Sequence, residues 1–304
     1  MNKDKRQLSH SQNFLKNPKF VGILIDRTDI EKDDLVIEIG PGKGIITAEL
    51  SKRAGKVIAI EYDANLVKSL KESFSNHPNV EIVEANFIHW KLPNHRYKVF
   101  SNIPFNMTAD IVNKLLSAKK PPKTAYLIMQ DKAAGRFMGP PYGPTSQTSV
   151  LLQPFYDMKI ITKIDRKKFY PVPNVNVVLS KFKKREEVLI NSKYQSLYKD
   201  FVVYGYNQWK PTLLEAFRGI FTEKQLNVIA QNLKLGGLKP SELTLDQWLK
   251  IFETFIKLVP QDKKNLIKGA EKKLRSKQKG MQKVFRTRKN SDRRKFPIKK
   301  LKRR

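Results

Sequence analysis

The sequence predicts an α/β fold, in which a mostly parallel sheet covered by helices precedes a small domain made only of helices. Two observations support this prediction. Short apolar runs alternate with helical patterns in the first half of the chain, at the spacing typical of strand–helix–strand units. Residues 193–258 instead carry helical periodicity with almost no strand pattern. We therefore expect a sheet domain at 1–185, a helical domain at 186–260 and a basic tail at 261–304.

The sheet domain is expected to contain seven strands in two groups. The first five are apolar runs separated by helical stretches, which implies parallel pairing with helices on both faces. The last two have no helix between them, so we expect an antiparallel pair at one edge of the sheet. The predicted strands are 35–39, 57–60, 80–83, 98–101, 125–129, 158–164 and 175–182, and the predicted helices between them include 45–52, 64–74 and 109–116.

Amphipathic patterns predict the helices of the second domain. Two apolar stripes recur at helical spacing, and Gly236, Gly237 and Pro240 separate them. We expect Trp209 and Trp248 to belong to the core of this domain rather than to an RNA-binding surface. The stripes consist of Leu226, Ile229, Ala230 and Leu233, and of Leu245, Trp248, Leu249, Phe252, Phe255 and Ile256.

Composition excludes several classes of protein. The chain has 304 residues, of which 40% are hydrophobic, enough for a core. The absence of Cys excludes disulfides, thiolate metal sites and cysteine nucleophiles, and the four His residues show no paired ligand spacing, so we expect no metal. The first residues are polar and no apolar run approaches the length of a membrane span, so we expect a soluble cytoplasmic protein.

The charge of the chain points to a polyanionic partner. Sixty Lys and Arg residues oppose 28 Asp and Glu residues, which gives a formal net charge of +32. Residues 261–304 hold 20 of these basic residues and three acidic ones, and we expect this tail to be largely disordered, with a helix near 263–278. Nucleic-acid phosphates are the expected partner. A solubilising tail and, more weakly, an anionic membrane surface are the alternatives.

A glycine-rich turn follows the first predicted strand directly. Gly40, Gly42 and Gly44 alternate, which lets the backbone turn sharply and lets a ligand approach closely. Glu61 ends the second strand, where a carboxylate can accept hydrogen bonds from both ribose hydroxyls. The spacing G-x-G-x-G differs from the dinucleotide pattern, which favours a nucleoside without phosphates, such as S-adenosylmethionine, over NAD. The alternative is a simple tight turn between a strand and a helix.

The stretch Asn102-Ile103-Pro104-Phe105 has the composition of a site that handles a nucleobase amine. An exocyclic amine is a poor nucleophile because its lone pair is conjugated with the ring. Acceptors on its two hydrogens free that lone pair, and the Asn102 side chain with a backbone carbonyl near 103–104 can supply them. Pro104 stiffens the loop and Phe105 offers a stacking face. The alternative is a proline turn with a core phenylalanine.

Four motifs in order make the chain resemble the rRNA adenine N6-methyltransferases, and within them the erythromycin-resistance (Erm) type. The resemblance runs from about residue 10 to 258. Together and in this order the motifs are specific for the family. They are Gln12-Asn13-Phe14-Leu15, Glu38-Ile39-Gly40-Pro41-Gly42-Lys43-Gly44, Asn102-Ile103-Pro104-Phe105 and Phe169-Tyr170-Pro171-Val172-Pro173-Asn174-Val175.

The resemblance implies a Rossmann-like, seven-stranded methyltransferase domain with S-adenosylmethionine as methyl donor. It implies transfer to N6 of one adenine in the peptidyl-transferase loop of 23S rRNA, with resistance to macrolides, lincosamides and streptogramin B. The alternatives are a small-subunit rRNA dimethyladenosine transferase and a non-catalytic rRNA-binding assembly factor. We expect a monomer that binds rRNA, as naked RNA or in assembly precursors, without a membrane partner.

The resemblance also implies roles for individual residues. Asn102 is expected to bridge cofactor and target amine, and Phe105 and Phe169 to stack the adenine. Asn86 stands where the family usually has Asp, so its bond to the cofactor's adenine lacks the charge. Tyr62 and Phe87 either sandwich that adenine or belong to the core. The expected cofactor contacts are Asn13, Leu15, Gly40, Gly42, Glu61, Tyr62, Asn86, Phe87 and Asn102.

Basic residues flank the predicted base pocket along the chain. Lys132 and Arg136 follow the fifth strand, and Arg166 and Lys168 precede the last one. We expect them to hold the RNA backbone beside the target base. The alternative for each is an ordinary solvated basic surface.

Overall fold

The structure is a computed structural model, and it describes residues 13–279 of the chain. Within these residues, nine strands form one sheet of seven strands and one ladder of two. The sheet has the strand order β4-β3-β2-β5-β6-β9-β7. The strands are β1 (Phe14–Leu15), β2 (Leu35–Ile39), β3 (Lys56–Glu61), β4 (Val80–Glu84), β5 (Lys98–Asn102), β6 (Thr124–Gln130), β7 (Tyr156–Ile164), β8 (Phe169–Tyr170) and β9 (Val177–Lys184).

The pairing directions follow the chain connections. Strands β2 to β6 pair in parallel, while β9 runs antiparallel to both β6 and β7, and β7 forms the edge. An α-helix lies in the connections from β2 to β3, β3 to β4 and β5 to β6, whereas no α-helix lies between β7 and β9. The predicted α/β class and the antiparallel pair at the edge are confirmed. The last strand begins at Val177, two residues later than predicted.

Twelve α-helices complete the described part of the chain, six alongside the sheet and six after it. Side-chain caps fix several of their first turns, as where Asp63 accepts hydrogen bonds from the backbone N–H groups of Asn65 and Leu66. The helices are α1 (Pro18–Asp26), α2 (Ile45–Ser51), α3 (Ala64–Ser73), α4 (Thr108–Leu116), α5 (Asp131–Met138), α6 (Gln147–Leu152), α7 (Gln195–Tyr206), α8 (Leu213–Ala216), α9 (Glu223–Leu233), α10 (Leu245–Leu258), α11 (Gln261–Ile267) and α12 (Ala270–Lys279).

Three apolar cores hold these layers together. Successive side chains of a strand point to opposite faces, so Ile37 of β2 packs into one core and Val36 into another. The third core belongs to the helical domain and contains the fully buried Trp248. Tyr198 of α7 donates its hydroxyl hydrogen to the Val150 carbonyl oxygen at 2.9 Å, which joins this domain to α6. In the part of the chain that the structure describes, no helix is both long and apolar enough to cross a bilayer.

The structure bears on two expectations for the helical domain and the segment after it. A helix was expected near 263–278 in the basic tail, and the chain is helical at Gln261–Ile267 and Ala270–Lys279, where Ile267 is buried in the third core and Asp200 caps α12. Residues 280–304 lie outside the described residues. Trp209 was expected in the core, but its side chain is 96% exposed, because it follows the end of α7 with a positive φ of 54°.

Candidate active site

The carboxyl ends of four parallel strands meet at one edge of the sheet. Glu61 of β3 pairs with Glu84 of β4, and Ile39 of β2 pairs with Ile60 of β3. Strand β5 lies on the other side of β2 and ends at Asn102. The sequence motifs that follow these strands are therefore brought together, as the parallel topology predicts.

The glycine-rich turn adopts left-handed backbone conformations at all three glycines. The φ angles of Gly40, Gly42 and Gly44 are 66°, 59° and 80°, which L side chains rarely adopt. A Cβ at Gly42 would lie 2.6 Å from the Phe14 ring, and one at Gly44 would lie 2.7 Å from the Phe74 ring. A Cβ at Gly40 would meet nothing within 4 Å, so the open space of the turn lies at Gly40.

Glu61 joins this turn to the neighbouring strand. One carboxylate oxygen accepts the backbone N–H of Gly42 at 3.2 Å, and the other accepts those of Tyr62 and Asp63 at 2.8 and 3.1 Å. A carboxylate has about four lone-pair positions, so the buried group can accept further hydrogen bonds on its open side. Its carboxylate is thus held beside the glycine turn, where a ribose would be bound.

Glu38 is a buried carboxyl that the sequence analysis did not single out. It is 1% exposed, and its Oε2 accepts the Thr47 hydroxyl at 2.6 Å. Burial raises the pKa of Glu38 to about 8, with repulsion from Glu61 adding to the rise and the Thr47 hydrogen bond opposing it. The side chain is therefore mostly protonated at pH 7. The sequence does contain a sign of this site, since Glu38 lies near the end of a buried strand and Glu61 ends the neighbouring strand.

Six of the predicted site residues line a single cleft. On one wall Gly40 follows β2, and on the other Asn102 ends β5. The Asn102 side-chain amide donates to the Asn13 carbonyl oxygen at 2.6 Å, a contact that the sequence did not reveal. This bond engages the amide nitrogen of Asn102, while Asn102 Oδ1 accepts no hydrogen bond from any described residue. The predicted lining residues are Asn13, Leu15, Gly40, Asn102, Pro104 and Phe105.

A two-stranded ladder closes one side of this cleft. Strand β1 pairs antiparallel with β8, with Phe14 opposite Tyr170 and Leu15 opposite Phe169. Gln12, the first residue of the N-terminal motif, lies outside the described residues. Phe169 was predicted to stack the adenine, but its side chain is 0% exposed because it packs with Leu15 in the core. Tyr170, which the sequence analysis did not single out, is 71% exposed.

The residues after β3 and β4 divide between surface and core. Tyr62 is exposed, whereas Phe87 is buried in the core under the Lys114 ammonium, 5.0 Å from the ring centroid. This burial favours the core alternative for Phe87 over a place in an adenine sandwich. Asn86 Oδ1 accepts the backbone N–H of Ile88 at 2.9 Å, so its amide oxygen also supports the local turn.

The four predicted RNA-contacting cations are exposed. Lys132 and Arg136 lie on α5, which begins directly after β6. Arg166 and Lys168 lie in a short turn before β8, and the Lys168 carbonyl oxygen accepts the Lys16 N–H at 3.1 Å. The turn is thereby attached to the residue after β1. The structure brings this pair close to the ladder that borders the cleft.

A family model described as "Ribosomal RNA adenine dimethylase" matches residues 2–257 of the chain. The match therefore includes the sheet domain, the cleft and the helical domain through α10.

Individual relatives carry two kinds of name. An rRNA adenine N-6-methyltransferase of Bacillus licheniformis is 29% identical over 83% of this chain and 88% of its own length. A ribosomal RNA small subunit methyltransferase A of Natranaerobius thermophilus is also 29% identical, over 81% of this chain and 90% of its own length. Among solved structures, the 23S rRNA methyltransferase ErmE has a TM-score of 0.74 at 28% identity, over 81% of this chain and all of the other.

Proposed function

The chain belongs to the ribosomal RNA adenine dimethylase family, and we propose that it methylates N6 of one adenine in the peptidyl-transferase loop of 23S rRNA. It is an S-adenosylmethionine-dependent rRNA adenine N6-methyltransferase. The observation that carries the proposal is the cleft that joins the Gly40 turn to Asn102, Pro104 and Phe105. Methylation at that position would block the binding of macrolides, lincosamides and streptogramin B, so we expect resistance to them.

The residues of the cleft fit the cofactor. The space in front of Gly40 would be filled by a Cβ at that position, and Glu61 offers a fixed carboxylate for ribose hydroxyls. Asn13 and Leu15 form the wall beside them, and Gly42 keeps the turn close to Glu61. Tyr62 and Asn86, which follow β3 and β4, are proposed to contact the adenine of the cofactor. When bound, S-adenosylmethionine supplies an electrophilic methyl group on a sulfonium.

The target amine is held by acceptors from the loop after β5. Asn102 Oδ1 accepts one amine hydrogen, since its Nδ2 is already bonded to Asn13. The Pro104 carbonyl oxygen already accepts the Met107 N–H at 3.0 Å, so the Ile103 carbonyl oxygen is the proposed second acceptor. These bonds free the nitrogen lone pair to attack the methyl carbon. As the N–C bond forms, the methyl–sulfur bond would break and the donor would leave as a neutral thioether. The cationic nitrogen would then give its proton to water, so the loop needs no general base.

The RNA is positioned by surfaces around the same cleft. Phe105 is half-buried in the cleft and presents its ring to the swung-out adenine. Exposed Lys132, Arg136, Arg166 and Lys168 would contact flanking phosphates, which position the RNA without reading its sequence. Tyr170 takes the stacking role that the buried Phe169 cannot fill.

Labelled methyl transfer tests this proposal. The full chain is incubated with labelled S-adenosylmethionine and naked 23S or 16S transcripts, and primer extension locates the modified adenine. We expect stops in the peptidyl-transferase loop of 23S rRNA. Asn102→Ala should lower transfer by about 100-fold or more, as does loss of other preorganised polar groups in active sites. Asn227→Ala, which changes an exposed helical Asn away from the cleft, is the matched control.

A small-subunit dimethyladenosine transferase is the second candidate. It is supported by the 29% identity to the small-subunit enzyme of Natranaerobius thermophilus, equal to the identity with the relative from Bacillus licheniformis. Stops on 16S rRNA alone, without erythromycin tolerance in a sensitive bacterium, would replace the 23S assignment. Normal transfer by Asn102→Ala would contradict the mechanism for either substrate.

We further propose that the protein acts as a cytoplasmic monomer on rRNA, without a metal. The proposed chemistry needs only the cofactor and hydrogen-bond acceptors, and the four His residues show no paired ligand spacing. Sedimentation of the full chain with and without RNA tests the monomer. Methyl transfer that is unaffected by a chelator is the result expected for a metal-free enzyme.

A further inference from the structure

A second cleft lies in the helical domain, far along the chain from the residues proposed for catalysis. Helix α7 and the residues after it form one wall, and α11 and α12 form the other. The second wall begins at Gln261, beyond residue 257, where the match to the family model ends. We call this space the C-terminal cleft, and its lining includes Val203, Tyr204, Trp209, Lys268, Lys273 and Lys277.

Trp209 gives the C-terminal cleft an exposed aromatic face. Its side chain is 96% exposed, and no aromatic ring of residues 13–279 packs against it. The backbone at Trp209 has a φ of 54°, a conformation that a bulky residue rarely adopts and that tends to persist at functional sites. A large apolar ring in water is unfavourable, so a flat partner that covers the indole would be stabilised there.

Lysines without acidic partners surround this ring. Lys268, Lys273 and Lys277 line the cleft, are exposed, and form no ion pair with an acidic residue of the described chain. Lys273 and Lys277 are four residues apart on α12, where like charges repel each other along the helix face. An anion between them would relieve this repulsion. Arg275, on the same helix, is instead paired with Glu271.

The second wall of the cleft is fixed to the domain rather than loosely attached. The Asp200 carboxylate on α7 accepts the backbone N–H groups of Gly269 and Glu271, each at 2.9 Å, and so caps the start of α12. Ile267 of α11 is buried in the same core as Trp248. The lysines therefore have defined positions relative to Trp209, which a binding site requires.

We propose that the C-terminal cleft binds an unpaired nucleotide of RNA. The base stacks on the Trp209 indole, and the flanking phosphates lie between Lys273 and Lys277. An acidic peptide would use the lysines but would leave the indole uncovered, and the bases of duplex RNA are already stacked. The net charge of +32 supports a nucleic acid as the occupant. This inference rests on the proposed function, which supplies RNA as the partner, and it adds a second contact remote from the methylated base.

The indole emission of the full chain provides the test. The chain contains three Trp residues, of which Trp248 is buried and Trp90 is half-buried, so Trp209 is the exposed reporter. We titrate a short single-stranded oligouridine and a matched RNA duplex, and we compare Trp209→Phe and Trp209→Ala. Oligouridine should quench the emission of the native chain, and Trp209→Phe should lose this quenching but keep most of the affinity. Trp209→Ala should weaken oligouridine binding about tenfold.

Charge variants separate stacking from non-specific attraction. Joint replacement by Lys273→Gln and Lys277→Gln should lower the slope of log affinity against log salt by about 1.4, the value for two phosphate contacts on a single strand. The control is Lys224→Gln, which removes one charge from an exposed site on α9 outside the cleft. It should lower RNA affinity by less than Lys273→Gln, which removes one charge inside the cleft. Thermal unfolding confirms that each variant is folded.

Three results would overturn the inference. They are unchanged oligouridine affinity in Trp209→Ala, equal quenching of the native chain by the duplex, and quenching of the native chain by polyglutamate but not by oligouridine. The methyl-transfer assay is independent of these outcomes. Absence of transfer to every rRNA, with intact quenching, would remove the proposed function and leave the C-terminal cleft in place. Loss of transfer in Asn102→Ala, with no effect of Trp209→Ala on RNA binding, would support the proposed function and remove the inference about the C-terminal cleft.

Discussion

Glu38 illustrates how the surroundings of one residue set its charge. Its carboxyl is enclosed at the end of β2 and lies near the carboxylate of Glu61, which binds the glycine turn. Because burial raises the pKa of Glu38 to about 8, the protein keeps one negative charge rather than two beside the proposed ribose position at neutral pH. The Thr47 hydroxyl donates to Glu38, which fixes the side chain against α2.

The stability of the protein should therefore depend on the protonation of Glu38. The pKa of Glu38 in the folded state lies above its ordinary value of 4.5, so the folded state binds the proton more tightly than the unfolded state. The contribution to stability is complete below that ordinary value and is lost as pH rises through about 8, with a slope of up to about 1.4 kcal/mol per pH unit. Glu38→Gln should remove this decline. Denaturant unfolding from pH 5 to 9 measures it, and parallel pH profiles for both proteins would contradict the assignment.

The cleft could be predicted only in part from its residues. The glycine turn, Glu61 and the Asn102 loop were identified because each follows a strand, and parallel strands bring their carboxyl ends together. The choice between Phe169 and Tyr170 could not be made in this way. Adjacent residues in a strand face opposite sides, and the pairing of β8 with β1, distant in sequence, decides which ring is buried.

At the scale of elements, α12 depends on a contact from another helix. The sequence of α12 is strongly polar, and its periodicity does not predict an apolar face that would pack on the domain. Asp200 on α7 supplies the acceptors for its first backbone N–H groups. The sheet, by contrast, could be predicted almost completely, since each strand is a local apolar run with turn residues at its ends. Docking through a single distant carboxylate leaves no such local pattern, so the sequence predicts a helix near 263–278 but not its attachment to α7.

Loss of the Asp200 charge should loosen α12. Asp200→Asn keeps the size of the side chain. It replaces two charged oxygens, each of which accepts one hydrogen bond, with a single neutral amide oxygen. We expect a loss of about 1 kcal/mol in the free energy of unfolding, and faster amide exchange across α12. Hydrogen exchange read by mass spectrometry resolves the segment.

The control for this change is Asp246→Asn, which alters an exposed acid at the start of α10 that pairs with Lys250. It should leave exchange in α12 unchanged. Equal protection of α12 in the Asp200→Asn variant and the native chain would show that Asp200 does not hold the helix.

At the scale of the whole molecule, positive charge is spread over the described residues 13–279 and is dense in residues 280–304. Residues 280–304 contain twelve Lys or Arg residues and one Asp, while residues 13–279 carry the basic residues around both clefts. Charge of this kind gives RNA affinity that does not depend on sequence and that falls steeply with salt. Site selection then depends on the clefts, and residence on RNA depends on the total charge.

Deletion of 280–304 should separate these two contributions. Because the packed helices α11 and α12 are kept, the fold and cofactor affinity should not change, whereas RNA affinity should fall and its salt dependence should become shallower. Filter binding across a salt series and calorimetry with S-adenosylmethionine measure the two effects. A chain with the same tail residues in scrambled order should behave as the native chain does. An unaltered salt slope after deletion would assign the RNA affinity to residues 1–279 alone.

The ladder between β1 and β8 has a consequence for biosynthesis. Leu15 and Phe169 pair in this ladder although they lie 154 positions apart in the sequence. Their pairing completes one wall of the cleft that contains Gly40 and Asn102. A growing polypeptide cannot close that wall until Tyr170 has emerged from the exit tunnel of the ribosome that makes it. Premature termination before this point thus releases fragments with the glycine turn but without an enclosed active site.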